Sequence, residues 1–314
     1  MAKKYNTYDH MRDAFVDAMT DLAAANKNLV MLDADLSGCV NSGCFQAKYP
    51  DRFFNVGISE ADMVGIAAGL SATGLIPVAH TFACFASRRA FDQFFLSANY
   101  AKQNVKLVGT DPGITSQMNG GTHMPFEDFG LMKMVPGLVV FEPSDSVSCY
   151  KLSQQAAIHK GSTYMRLQRK GTTVRYTDDT KIELGRGIVI KDGIDVTLIA
   201  TGLVMVDAAV KAVELLEAEG ISAAVIDMHT VKPLDEALVL EYAKKTGKIV
   251  TIENAQRCNG LGSAISDYLS EVHPTLVKRM GIDDEFGEVG TLAYLQKRYS
   301  LMPEDIVKTV LALK

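Results

Sequence analysis

The chain has little that would take it to a membrane or a nucleic acid. Its 314 residues hold no apolar run near the roughly 20 residues that a membrane helix needs. No run of lysine or arginine occurs, and a net charge of −5 offers no basic surface to a phosphate backbone. Lys3 and Lys4 are followed by no apolar h-region, so no signal peptide is expected and the cytoplasm is the expected location. Cysteine is sparse and odd in number. Cys39, Cys44, Cys84, Cys149 and Cys258 are scattered without a CxxC pair, which favours a reduced protein with inert thiols. There is no internal repeat and no low-complexity tract.

What is present reads as a soluble α/β protein. Apolar residues make up 47% and charged residues 22%, and the length suits two domains. Short apolar runs read as strands at 28–32, 76–79, 105–108, 138–141 and 163–167. Helical patterns lie between them, at 11–24, 60–72, 86–102 and 146–159, with Ser144 or Asp145 as the N-cap of the last. Such alternation predicts a parallel sheet covered by helices on both faces. From Gln168 to Gly187 the chain turns polar and rich in turn residues, which reads as a linker. Alternation then resumes, with strands at 195–200, 222–228, 248–252 and 276–280 and a closing helix at 303–313 that has Pro303 in its first turn. The expected fold is therefore two consecutive doubly wound α/β domains with mainly parallel sheets, over residues 1–180 and 187–314.

The densest chemistry lies in RFFNVGISEADMVGIAAGLSATG. A glycine turn at Gly57 precedes a lone acid, Glu60, and then a run of small residues including Gly65, Ala67, Ala68 and Gly69. Taken alone, Glu60 reads equally as an acid complementing a helix dipole and as a partly buried acid that shares a proton with a ring nitrogen. Three later segments bear on that choice: HTFACFASRRAFDQ from His80, NGGTHMP from Asn119, and RLQRKG from Arg166. In this order and spacing the chain resembles the pyrimidine-binding and C-terminal domains of transketolase, from about Tyr8 to its end.

That resemblance implies thiamine diphosphate as cofactor. Glu60 then hydrogen-bonds the pyrimidine N1′ and favours the imino form that removes the C2 proton, while the cofactor supplies the rest. Phe82 and Phe85 match the positions that wall the pyrimidine pocket, and both also read as ordinary core phenylalanines. Arg88 stands where transketolase has an aromatic residue. With Phe91-Asp92-Gln93 it looks more like 1-deoxyxylulose-5-phosphate synthase or the β subunit of a 2-oxo-acid dehydrogenase. Asp35 maps to an acid near the cofactor. The hydroxyl that helps hold substrate phosphate falls at Cys39, with Ser37 as a substitute. His123, in its G-x-T-H-x-P context, matches a substrate-binding histidine suited to hydrogen bonding or proton transfer. Asn119 replaces an aspartate that contacts the donor sugar, which implies altered donor recognition. Arg169 maps to a phosphate-binding arginine. Arg12 maps near another and reads equally as a helix-surface arginine. His80 is expected to face the substrate channel. In the C-terminal part, Gly260 and Gly262 form a lone glycine-rich turn, and His229 is expected in a core or interface.

One element of this cofactor class is missing. The GDG motif with a distant asparagine, which holds the diphosphate through Mg²⁺, has no counterpart; Lys191-Asp192-Gly193 is a turn without that context. The resemblance therefore implies the C-terminal half of a split transketolase. Its partner would be a separate diphosphate-binding subunit in an α₂β₂ heterotetramer, acting on sugar phosphates. The alternatives are a 2-oxo-acid dehydrogenase β subunit or 1-deoxyxylulose-5-phosphate synthase-like enzyme, and, in another class, a non-catalytic partner-binding subunit.

Overall fold

The structure, a computed structural model, describes residues 8–313. Residues 1–7, which open the expected first domain and include Lys3 and Lys4, lie outside the described residues, as does residue 314. The chain divides into two compact units. The first comprises residues up to 112 together with 131–184, and the second comprises 113–130 together with the chain from 185 onward.

Six strands of the first unit line up in the order β2-β1-β3-β4-β6-β5. They are β1 (Leu29–Asp33), β2 (Phe53–Asn55), β3 (Ile76–Phe82), β4 (Lys106–Thr110), β5 (Val139–Phe141) and β6 (Thr163–Leu167). Every pairing among them is parallel. β1, β4, β5 and β6 are buried along their whole length, as strands covered on both faces by helices must be. The first helix (Met11–Ala25) buries Met11, Ala14, Phe15, Ala18 and Met19 at the spacing of a single apolar stripe. The helix Glu60–Ala72 buries Glu60, Met63, Val64, Ala67 and Ala68, again one stripe at three- and four-residue intervals. On its other side Gly65 and Gly69 have nothing within 4 Å of where a Cβ would stand.

The 146–159 pattern forms the helix Ser146–Ile158, capped reciprocally by Asp145 and Ser148. The carboxylate of Asp145 also accepts from the backbone of Arg175 and Tyr176. Part of the polar stretch expected as a linker is thereby fastened to the first unit, with Tyr176 and Ile182 buried. The expected helix over 86–102 is corrected by the structure. It is built of wide π-helical turns at Phe85–Arg89 and Phe94–Tyr100, joined by one short α-helical piece. Periodicity measured in steps of 3.6 residues does not register such turns, which hold one residue more per turn.

The second unit carries β7 (Ile188–Lys191), β8 (Val196–Ala200), β9 (Ala223–Asp227), β10 (Thr230–Lys232), β11 (Lys248–Gln256) and β12 (Leu276–Ile282). Its sheet runs β12-β11-β8-β9-β7, parallel except for the antiparallel edge strand β7. β7 went unpredicted because its four residues alternate in burial and lie inside polar surroundings. The segment 113–130 belongs to this unit through close contacts. Asn254 Oδ1 accepts from Ile114 N at 2.8 Å, Gln256 N donates to Phe126 O at 2.7 Å, and a Cβ on Gly121 would meet Gly287 O at 2.1 Å. Phe126 meets Tyr299 edge to face at 5.5 Å. Among the described residues no helix is long and apolar enough to cross a membrane.

Lys106 opens β4 with 2% exposure. Its ammonium donates to His159 O at 2.6 Å and to Gly161 O, just past the end of helix Ser146–Ile158, and burial pushes it down from its ordinary 10.5 to about 7. Between those two values the unfolded chain keeps a proton that the folded chain has lost. Stability therefore rises with pH across that window, by at most ~1.4 kcal/mol per pH unit. Urea unfolding from pH 7 to 9.5 should show this rise, and Lys106→Met should flatten it. An equal slope in the variant would remove Lys106 from the account.

Candidate active site

In parallel sheets ligands gather at the C-terminal ends of the strands, and this edge of the first unit is dense in buried polar groups. β1 ends at Asp33, which pairs in register with His80 of β3. Asp33 is fully buried. Burial alone would raise its carboxyl, but the hydrogen bond and charge of His80, the Leu36 amide and the Ser42 hydroxyl together hold it below the usual value. His80 Nδ1 lies 3.3 Å from Asp33 Oδ2, and His80 Nε2 lies 3.2 Å from the Thr110 hydroxyl at the end of β4. That hydroxyl reaches back to the Thr81 carbonyl at 3.4 Å. His80, expected to face the substrate channel, is wholly enclosed with both ring nitrogens engaged. It acts as a strut across three strand ends.

Consecutive strand residues point to opposite faces, so Thr81 looks away from His80. It looks toward Glu60. The turn that sets up Glu60 is held by Asn55, whose Oδ1 accepts from the backbone of Asp35 and Gly57. Gly57 has φ +76°, a conformation glycine adopts without strain. Glu60 then opens its helix with 1% exposure. Its Oε2 accepts from Arg89 Nη1 at 2.8 Å, and the Thr81 hydroxyl approaches Oε1 at 3.5 Å. Phe82 and Phe85 stand edge to face with centroids 6.2 Å apart. Each carries a guanidinium over its ring, Arg89 at 4.0 Å on Phe85 and Arg169 at 5.7 Å on Phe82.

The two arginines expected at a phosphate meet here as well. Arg12 N donates to Arg169 O at 3.3 Å, and Arg12 Nη1 donates to Cys39 O at 3.2 Å. Arg12 Nε is buried with no hydrogen-bond partner. Arg169 Nε donates to Asp111 Oδ2 at 2.5 Å. Burial raises Asp111, against the opposing charge of Arg169. Burial also pushes the Cys39 thiol up, so it is no thiolate nucleophile at neutral pH.

The structure thus brings Glu60, Phe82, Phe85, His80, Arg12 and Arg169 to one sheet edge. The other expected residues have different surroundings. Arg88 is exposed, and its neighbour Arg89 takes the contact with Glu60. Asp35 is exposed and shares hydrogen bonds with Asn55. Ser37 is half-buried at the start of the short helix Ser37–Val40. His123 and Asn119 belong to the second unit. There His123 Nδ1 lies 2.9 Å from the Thr122 hydroxyl, and Asn119 is exposed. Sequence reasoning missed Arg89, Thr81 and Asp111, whereas the resemblance sets Thr110 or Gly109 where transketolase has another histidine. The adjacent Arg88-Arg89 pair was a signal for the first, and nothing in sequence pointed to Thr81 or Asp111.

Within the second unit, the Gly260–Gly262 turn has its helix N-terminus filled already. Glu253, fully buried, accepts from Leu261 N at 2.7 Å and Gly262 N at 2.9 Å. His229 is fully buried, and burial pushes it down to about 4. Asp192-Gly193 is a structural turn tied to Tyr242 and Lys245. No cluster of three or more His, Cys, Asp or Glu among the described residues could hold a metal ion.

Two α/β units, the first with a buried acid and paired aromatic rings at its sheet edge, define a class that comparison identifies. The family description "Transketolase, pyrimidine binding domain" matches residues 9–173, and "Transketolase, C-terminal domain" matches residues 185–306. The chain belongs to the transketolase family. More particularly, it is similar to subunits of split transketolases. A 6-deoxy-6-sulfo-D-fructose transketolase subunit of Clostridium sp. (strain MSTE9) is 44% identical, over 95% of this chain and 92% of that one. A putative transketolase C-terminal section of Methanocaldococcus jannaschii is 37% identical, over 99% and 98%. The solved structure of a split-gene transketolase, described as an inactive beta4 tetramer, matches with TM-score 0.89 at 40% identity over 97% of both chains.

The Asp33–His80 pair generates a stability prediction. Removing one partner of a buried, hydrogen-bonded pair leaves the other uncompensated, so Asp33→Ala should cost about 3–5 kcal/mol in urea unfolding of the chain. A loss below ~1 kcal/mol, the scale of a surface pair, would show that the strut carries no load.

Proposed function

We propose that this chain is the pyrimidine-side half of a thiamine-diphosphate-dependent transketolase, catalytic only with a separate subunit that holds the diphosphate through Mg²⁺. The pair would move a two-carbon ketol group from a ketose to an aldose phosphate. The observation that carries this reading is Glu60: a buried carboxyl at a helix start, approached by a threonine hydroxyl and bridged by Arg89 to the Phe85 ring. A buried acid joined through a planar guanidinium to an aromatic face suits an aminopyrimidine, so the residues present fit that end of the cofactor. When bound, the cofactor would supply an acidic carbon whose deprotonated form is a nucleophile for carbonyl chemistry.

The chain's own residues then do four things. Glu60 holds a proton at the pyrimidine N1′. Phe82 and Phe85 exclude water from the ring and fix its plane. Arg12 and Arg169 offer planar donors to an oxyanion, with Asp111 and the Cys39 carbonyl orienting them. His123 and Asn119 contact the donor's hydroxyls. The Clostridium relative is named for a sulfonated sugar, and a sulfonate and a phosphate present similar oxygens to an arginine fork. Both belong in the substrate panel.

Partner dependence is supported by the split-gene structure similar to this chain, which is described as an inactive beta4 tetramer. A buried diphosphate requires charge compensation, which the separate subunit would bring with Mg²⁺. An α₂β₂ assembly is the simplest symmetric arrangement with a second subunit type. The buried acid, bridged by Arg89 to an aromatic face, argues against a purely partner-binding subunit, and the split-transketolase relatives argue against a 2-oxo-acid dehydrogenase β subunit.

Reconstitution tests the whole reading. The chain alone with thiamine diphosphate and Mg²⁺ should give no ketol transfer, and a diphosphate-binding partner should restore it across a panel of phosphorylated and sulfonated ketoses. Turnover by the isolated chain would overturn the split arrangement. In the reconstituted pair Glu60→Gln should slow C2 proton exchange of the bound cofactor, followed by NMR, by about a hundredfold or more. Exchange at the parent rate would remove Glu60 from this role. Arg169→Ala should weaken use of anionic donors by about 1.5–3 kcal/mol while sparing uncharged ones. Equal losses on both would make Arg169 structural.

A further inference from the structure

We propose that Arg89 is a placeholder for the cofactor's aminopyrimidine: in the free chain its guanidinium occupies the slot between Glu60 and the Phe85 ring, and it leaves when the cofactor arrives. This rests on reading Glu60 as the acid that faces the pyrimidine.

The argument is one of matching shapes. A guanidinium is planar, delocalised and rimmed with N–H donors. Arg89 uses both properties at once. Its Nη1 donates to Glu60 Oε2 at 2.8 Å, while its Cζ stands 4.0 Å from the Phe85 ring centroid. An aminopyrimidine is also planar and delocalised, and it needs the same two partners: the acid at its ring nitrogen and an aromatic face for its plane. Arg89 holds the Oε2 oxygen and the Phe85 ring face, and a cofactor ring laid on that face displaces it.

The energetics are asymmetric in the direction an exchange requires. Glu60 is 1% exposed, and a buried carboxylate left without a partner is costly. Its contact with the Thr81 hydroxyl is long at 3.5 Å. The Arg89 side chain is 47% exposed, so it can withdraw into water at little cost. Arg89 therefore keeps the acid satisfied while the site is empty. It gives the contact up to a group that satisfies the acid equally well and buries more apolar ring surface. Its position follows from the local backbone. Ala90 N bonds Phe85 O in a π-type turn, and that wide turn lays the side chain of residue 89 back across the ring of residue 85.

The test measures cofactor binding in the reconstituted pair, as the dissociation constant of thiamine diphosphate at saturating Mg²⁺ by calorimetry. Arg89→Ala removes the competitor and should tighten binding about fivefold, the scale of one partly exposed ion pair. Arg89→Lys keeps the charge but loses the planar stack, and should bind the cofactor more tightly than the parent and less tightly than Arg89→Ala. It also covers the case in which the alanine variant fails to fold. In a Glu60→Gln background, Arg89→Ala should change affinity much less, because the pairing it breaks is already weakened. Weaker or unchanged binding in both folded Arg89 variants would overturn the placeholder. Failure of the Glu60 reading would show separately, as parent-rate C2 exchange in Glu60→Gln with Arg89 intact.

Discussion

A buried carboxylate has to be satisfied from within, and Asp33 imposes that demand on the most crowded edge of the molecule. It ends a strand with no water to solvate it, so neighbouring strand ends must bring donors. His80 answers from β3, Ser42 and Leu36 answer from the following turn, and Thr110 holds the far side of the imidazole. The consequence is rigidity where loops would otherwise be loose. Glu60 and the two phenylalanines stand next to this ladder, and the positions of Thr81 and Phe82 follow from that of His80 one and two residues earlier. For the role proposed for Glu60, such a frame would hold a flat ring to within a fraction of an ångström.

The two units handle acids and glycines differently. In the first, Glu60 at a helix start pairs with Arg89, whose side chain is partly in solvent. In the second, Glu253 turns inward and satisfies the amides of its own helix start. A carbon on Gly260 would stand 1.8 Å from that carboxylate, so the glycine is there to let the acid in. The same residue types thus make an ion pair that reaches solvent in one unit and a closed structural turn in the other.

Much of this was legible in sequence. The strand–helix alternation and the acid before a run of small residues follow from periodicity and turn chemistry that act locally. So does the Asp145 cap. The family came from the order of motifs. What escaped has a common cause: contacts set by register between strands distant in sequence. Nothing in the order of letters says that Asp33 lies opposite His80, or that Thr110 closes the ladder. Asp111 lies next to Thr110 and meets Arg169 only because β4 and β6 are neighbours. The helix over 86–102 was misread for a different reason, since its wide turns depart from the period used to recognise helices.

Those wide turns have an evolutionary corollary. An α-helical turn and a π-helical turn differ by one residue, so a segment containing the latter absorbs a single-codon insertion or deletion without moving what flanks it. Between Phe85 and Phe91 such a change would alter which of two adjacent arginines is aimed at Glu60, or would aim neither. The strand before and the helix after would stay in place. Descendants of this gene could thus exchange the neighbour of their central acid through one indel, a step that substitution at a fixed position does not offer.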